Sequence, residues 1–390
     1  MSITRQDPAA REACPLLYRP CDPRFAEDIR HFQGCPTLAV TRGGRIYLAW
    51  YSGGTREPHI ENYNLLVYSD DAGATWSSPL LVIPSDRERL IHALDIQLWC
   101  DGGGRLHVFW VQNNTRPAPA ELPKALPGQP LAAVDGYLFD DFRHAMWETV
   151  CEDPDAADPQ FGTPRMLGDG FLRCKPLVLA SGRILYFNYD QIDPRYAYSI
   201  SDDGGKTLLR RYAGKKLATP FDEGMAYERR DGSIRALFRS AKGELAECIS
   251  YDGGESFGEA RLSGIDSPST RFYISRTPTG RLLLVHSDDR TERKNMTVSL
   301  SEDDGQSWPY RVTIDTRTNI SYPDADFHDG RIYLTYDRER TGAKEILFLS
   351  FTEEDVIKGT IPTPRIISKP TGGEDNPEYE PDGYTPKRRP

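Results

Sequence analysis

The sequence predicts an all-β fold, and three observations carry that expectation. The pattern Ser-x-Asp-x-Gly-x-Ser/Thr-aromatic occurs at Ser69–Trp76, Ser250–Phe257 and Ser301–Trp308, and again from Ser201 with Leu208 in the aromatic place. A second pattern, Gly-Arg/Ser followed by alternating apolar residues, starts at Gly44, Gly104, Gly182, Gly232, Gly280 and Gly330. The third is composition: 33 Gly, 30 Pro and 11% aromatic residues in a chain of 390 suit short strands joined by turns. No long stretch shows the apolar period of a helix.

In the first pattern an apolar run ends at the Ser. Asp and Gly then close a tight turn through side-chain-to-backbone bonds and a positive φ, and the aromatic packs beneath it as the return strand begins. The glycines of the second pattern lie 60, 78, 50, 48 and 50 residues apart, out of phase with the first. Used as a ruler, they reveal decayed copies of the first pattern near Thr149–Asp153 and Leu349–Glu353. Six units of about four strands, each too small to bury both its faces alone, predict a β-propeller of six blades forming one domain. A seventh blade would need the N-terminal thirty residues and the tail to complete it.

The expected organisation is an N-terminal segment at 1–30, a propeller over 31–366 and an extended or disordered tail at 367–390. An insertion at 113–140 accounts for the long second spacing; Pro117, Pro119, Pro123, Pro127 and Pro130 make it a lid or a surface excursion.

A net charge of −10 argues against a nucleic-acid partner, which needs a basic face. The seven Cys are odd in number and scattered, which fits reduced core residues rather than a disulfide frame or a zinc site. The N-terminus has no apolar signal region and nowhere do about 18 apolar residues run together. The expectation is therefore a cytoplasmic protein without a membrane partner, with a secreted mature form as the alternative. Asp324, Asp326 and His328 alternate on one strand face, a pattern that a solvated strand shares with a metal site. No metal or cofactor is expected, and oligomeric state is not legible.

In a propeller the first strand of each blade brings equivalent positions around one pocket. Nine residues before the glycines of the second pattern stand Cys35, Asp95, Arg173, Glu223, Arg271 and Ser321, the last followed by Tyr322. Charge on a packed strand is costly unless paired or used, so these positions and their neighbours Gln33, His92, Lys175 and Tyr273 form the candidate site. A ring of ion pairs that seals the centre would draw on the same residues. Among the other histidines, His107 alternates within an apolar strand as a core residue would, and His31, His144, His286 and His328 lack a catalytic neighbour.

The Ser-x-Asp-x-Gly-x-Thr-Trp copies resemble the Asp boxes of sialidases and the wider group of bacterial-neuraminidase-repeat propellers, from about Phe32 to Thr360. The resemblance implies a Glu at Glu223, an Arg at the next strand's end at Arg239, a further Arg before an Asp box at Arg293 or Arg290, and a Tyr at Tyr322. Where that family opens its first blade with Arg-Ile-Pro, this chain has Gly34-Cys35-Pro36, so the first arginine of a carboxylate-binding triad is absent. Where the family places an Asp acid/base, this chain has Pro58-His59-Ile60. The stretches Gln33–Pro36, Trp50–Gly54 and His59–Tyr63 also resemble propeller enzymes that remove terminal rhamnose from glucuronate, in which one pocket histidine carries catalysis.

These groups suit three functions. Arginines on a carboxylate, with His59 and Tyr322 as a proton-transfer pair, are the equipment for β-elimination beside a uronate at the end of an acidic oligosaccharide. His92, near Asp95, is the rival to His59. Tyr322 as nucleophile with Glu223 as its base would instead give a sialidase-like retaining glycosidase. In either case Gln33, His92, Asp95, Arg173, Lys175, Arg239, Arg271 and Arg293 bind the acidic glycan. The third function is a glycan-binding propeller without catalysis.

Overall fold

The structure is a computed structural model that describes residues 12–118, 132–134, 136–191, 193–217 and 221–371. Among these residues, six antiparallel sheets of four or five strands follow one another along the chain, with a two-stranded pair, Phe171–Leu172 and Asn188–Tyr189, beside them. The fold is a six-bladed β-propeller.

The glycine pattern marks one turn of every blade, and the Asp-box pattern marks a different turn in four of them. All six glycines of the second pattern adopt left-handed φ, from +71° to +94°, between a blade's first and second strands. In five of them the glycine N–H donates to the carbonyl three residues earlier, as Gly44 does to Thr41 at 3.1 Å and Gly280 to Thr277 at 2.9 Å. A residue with a Cβ is strained at such an angle, which is why glycine recurs there.

The Asp boxes close the turn after the third strand. In the first, Asp71 accepts from the Ser69 hydroxyl at 2.7 Å, from the Thr75 N–H at 2.8 Å and from the Thr75 hydroxyl at 2.6 Å, while the Gly73 N–H donates to Ser69 Oγ at 2.9 Å. The same bonds recur around Asp203, Asp252 and Asp303. These donors, the threonine hydroxyl foremost, lower the Asp71 carboxyl to about 2. Gly73 is also needed for space, since a Cβ there would fall 2.3 Å from the Phe348 ring. Trp76 packs edge-on to that same ring at 5.3 Å.

Both expected decayed copies end a third strand, at Cys151 and at Thr352. After the second, the chain forms a helix over Glu353–Lys358 in place of a box, with a capping box between Thr352 and Asp355 and Gly359 at φ +71° as its left-handed stop. The alternative of a seventh blade is corrected. Leu17–Tyr18 adds a fifth, outer strand to the first sheet by pairing with Val82 and Leu81, and Arg365–Ser368 is the outer strand of the sixth. The expected insertion begins as a continuation of the second blade's hairpin, with Thr115 opposite Phe139 and Pro117 opposite Tyr137. Residues 119–131 and 135 of that insertion lie outside the described residues, as do 1–11 of the N-terminal segment and 372–390 of the tail.

The chain divides into two compact units, Met1–Gly168 with Thr335–Phe348 and Arg365–Pro390, and Asp169–Leu334 with Leu349–Pro364. The first has a core around Tyr47, Leu66, Ile83, Leu98, Trp110 and Trp147. The second packs Leu185, Tyr196, Tyr198, Ile234, Phe238 and Phe257. All seven cysteines are free thiols; five are buried, whereas Cys21 is exposed and Cys100 half-buried. No helix among the described residues is long and apolar enough to cross a membrane.

Candidate functional site

Glu223 and Arg239 are brought together by one hairpin. Strands Gly224–Glu228 and Ile234–Phe238 pair with Gly224 opposite Phe238, and the Arg239 N–H donates to the Glu223 carbonyl at 2.9 Å. Residues 16 apart in sequence thus meet at the open end of a blade, and Arg239 Nη1 donates to Glu223 Oε2 at 3.2 Å. Tyr322 comes from the sixth sheet's first strand, Ile320–His328, and donates its phenolic proton to Glu223 Oε1 at 2.5 Å. Arg239 Nη1 lies 3.3 Å from the same phenolic oxygen.

Two more arginines complete the cluster. Arg173 Nε stands 3.5 Å from Glu223 Oε1, and the Arg173 guanidinium lies 5.0 Å from the centre of the Tyr322 ring. The Arg271 guanidinium lies at the same 5.0 Å. Its donors reach the carbonyls of Arg173 at 2.7 Å, Tyr322 at 3.1 Å and Pro323 at 3.3 Å. Arg173, Glu223, Arg239, Arg271 and Tyr322 are 2–6% exposed. Burial alone would raise the Glu223 carboxyl, but Arg239, Arg173, the Tyr322 hydrogen bond and Arg271 together hold it below its ordinary value. The neighbouring Cys174 thiol is pushed up to about 12 by burial, so it supplies no thiolate.

Arg293 and Lys175 flank this group. Arg293 donates to the Ser269 carbonyl at 3.1 Å while Arg239 Nε donates to the Ser269 hydroxyl at 3.1 Å, so one residue aligns both arginines. Arg290 instead pairs with Asp266 at 2.7 Å and Glu244 at 2.8 Å. Lys175 bonds Asp324 at 3.0 Å and the Ala325 carbonyl at 3.0 Å. That bond takes one of the acids in the Asp324, Asp326 and His328 alternation, and no group of three metal-ligating side chains occurs among the described residues.

Gln33, His59, His92 and Asp95 lie in the other unit. The Gln33 amide donates to the Lys344 carbonyl at 2.5 Å and to Ser368 at 3.0 Å, and accepts from Trp50 at 3.1 Å. His92 is fully buried in a chain in which Asn62 donates to Tyr51 at 2.6 Å, Tyr51 donates to His92 Nε2 at 2.6 Å, and His92 Nδ1 donates to Asn113 at 3.0 Å. Burial lowers it to about 3, so it is a neutral imidazole. His59 is 5% exposed and its Nδ1 accepts the Glu61 N–H at 3.1 Å. Asp95 is buried with φ +60°, like Cys35 at +56° and Tyr322 at +55°. Cys35 and Asp95 thus carry left-handed φ at the offset singled out in the sequence, and Tyr322 carries it one residue after that offset. Such strain persists where the surroundings impose it and concentrates at functional sites.

Sequence reasoning missed Arg340. It is 4% exposed, with Nε 3.0 Å from Asp337 and Nη1 3.0 Å from Glu57. A Cβ at Gly34 would fall 2.7 Å from Arg340 Cγ, so the Arg340 stem fills the space that a side chain at position 34 would take. Arg340 lies in the turn after a blade's second strand, outside the register that located the other residues. The run Asp337-Arg338-Glu339-Arg340 was its only trace in the sequence.

Residues 145–334 match the BNR repeat-like domain family. The chain is 31% identical over 121 residues to a sialidase of Micromonospora viridifaciens, covering 28% of this chain and 18% of that protein. It is 26% identical over 198 residues to an anhydrosialidase of Macrobdella decora, covering 46% and 26% of the two chains. The matches thus span about a quarter or less of those relatives' own length. The fold superposes on the NanB sialidase of Streptococcus pneumoniae with a TM-score of 0.64 and 17% identity, over 88% of this chain and 71% of that one. Repeat, sequence and fold agree in making the chain similar to the sialidase-like BNR-repeat β-propellers.

Proposed function

We propose that this protein is a carbohydrate-active enzyme of sialidase type that cleaves the glycosidic bond of a carboxylate-bearing terminal sugar. The observation that carries this is the 2.5 Å bond from Tyr322 to Glu223 inside a buried group of three arginines. A phenol bonded to an ionised carboxylate can attack an anomeric carbon while its proton passes to Glu223. The bond from that carbon to the leaving oxygen breaks, and the oxygen takes a proton from a general acid. Water, deprotonated by the conjugate base of that general acid, then splits the glycosyl–tyrosine bond while Glu223 returns its proton to Tyr322, releasing the sugar with retained configuration. Arg239 and Arg293, aligned by Ser269, are the groups that receive the carboxylate in pairs of charge-assisted hydrogen bonds.

The test uses an aryl sialoside and a panel of uronate-capped oligosaccharides, with wild type, Tyr322→Phe and Glu223→Gln. Turnover of an acidic glycoside that disappears in Tyr322→Phe supports the proposal. Turnover that survives in Tyr322→Phe overturns the nucleophile, and cleavage that leaves an ultraviolet-absorbing unsaturated uronate replaces it with the elimination expected from the resemblance to rhamnose–glucuronate enzymes. Glycan binding without product, unchanged in Glu223→Gln, would make the protein a binding propeller.

A further inference from the structure

We propose that Arg173 and Arg271 are positioning residues that act on Tyr322 itself, holding its ring and stabilising its phenolate as the proton moves to Glu223, rather than binding the substrate carboxylate. The inference rests on the proposed role of Tyr322.

The geometry separates these two arginines from Arg239. Arg239 addresses the phenolic oxygen and the Glu223 carboxylate edge-on, through Nη1. Arg173 and Arg271 instead stand over the ring, each with its guanidinium carbon 5.0 Å from the ring centre. A guanidinium over an aromatic face is held by the negative π cloud, and the attraction grows when the ring becomes an anion. Arg271 is fastened by two successive carbonyls that follow the Tyr322 Cα, those of Tyr322 and Pro323, and by the carbonyl of Arg173. One side chain therefore ties the two guanidinium positions together and clamps the backbone where Tyr322 sits at φ +55°. Left-handed φ at a tyrosine costs roughly 1–3 kcal/mol and needs such a clamp to persist.

The charged and titratable groups around this ring include Glu223, the three arginines and Tyr189, on which Asp222 acts in turn. Burial and the nearby Glu223 keep Tyr189 protonated well above its ordinary range, so it does not compete for the proton. Glu223 opposes a second negative charge on Tyr322, and the three guanidinium groups favour it. Removing one cation from over the ring therefore raises the free energy of the phenolate while leaving Arg239 and Arg293 in place.

The experiment is a pH titration of tyrosine ring carbons by NMR in isotope-labelled full-length protein. The Tyr322 resonance is identified by its loss in Tyr322→Phe. In Arg173→Gln and Arg271→Gln the Tyr322 midpoint is expected to rise by about one to three pH units, the effect of deleting an opposite charge at this distance. Arg173→Lys and Arg271→Lys should recover part of that rise, since they keep the charge and lose the planar fork. Unchanged midpoints in folded Gln variants overturn the inference. If Arg271→Gln does not fold, Arg173→Gln and Arg271→Lys decide it by the same criterion. Failure of the functional proposal is read separately: midpoints that move in a protein inactive on every acidic glycoside leave this inference standing and remove the enzyme.

Discussion

Glu223→Gln isolates the electrostatics of the site. The substitution keeps size and one acceptor but removes the negative charge that stands between Arg239 at 3.2 Å and Arg173 at 3.5 Å, in a place where every partner is nearly inaccessible to water. Breaking a buried ion pair from one side costs about 3–5 kcal/mol, because the remaining charge keeps its desolvation penalty without its partner. With an unfolding entropy of about 2.1 cal/mol/K per residue, roughly 0.8 kcal/mol/K for this chain if it unfolds cooperatively, the melting temperature should drop by about 4–6 °C at pH 7. The pH dependence has a defined sign. Glu223 is held below its ordinary value in the folded state, so its contribution is present above the unfolded value near 4.3 and is lost as pH falls through the lower folded value. The gap between wild type and Glu223→Gln should therefore shrink below about pH 4. Calorimetry across pH 3–8 on wild type, Glu223→Gln, Arg239→Gln and the double variant provides the assay. The double variant should be destabilised by less than the two single changes added together. Equal melting of Glu223→Gln and wild type at pH 7, or strict additivity, would refute an electrostatically balanced cluster.

Asp222, buried beside Lys216 at 2.9 Å, is raised by desolvation to about 7, so its contribution has the opposite sign. The protonated form is favoured in the fold, and stability is lost as pH rises from the unfolded value near 3.9 through about 7; Asp222→Asn should flatten melting temperature against pH in that window. Gly182→Ala adds a Cβ with nothing within 4 Å at φ +88° and should cost roughly 1–2 kcal/mol of backbone strain in a urea melt. Gly73→Ala meets the Phe348 ring at 2.3 Å as well, and should cost about 1–3 kcal/mol more. His92, lowered to about 3, should keep neutral-ring nitrogen shifts in NMR spectra between pH 5 and 8, and a titration in that range would contradict its buried hydrogen-bond chain.

Much of the fold was legible because its turns are written in local chemistry. The left-handed glycines and the Ser–Asp–Ser/Thr bonds of the Asp boxes involve residues within four positions of one another, so a linear pattern contains them. The helix after Thr352 was not legible, since its six residues are too few for a period to show. Within the site, the offset from the second glycine pattern singled out Arg173, Glu223 and Arg271, whereas Arg239 and the role of Tyr322 came only through the family resemblance.

The sequence by itself determined the blade repeat and the shared offset of Arg173, Glu223 and Arg271, because both follow from a fixed count along equivalent strands. Only the tertiary structure decided how those groups divide their labour. Whether a guanidinium meets a carboxylate edge, as Arg239 does, or stands over a ring, as Arg173 and Arg271 do, depends on carbonyls contributed by residues about 50 to 100 positions away. Arg340 in the space at Gly34 has the same origin: packing between distant segments leaves no periodic mark in the chain, since it is a property of where strands end and not of their order.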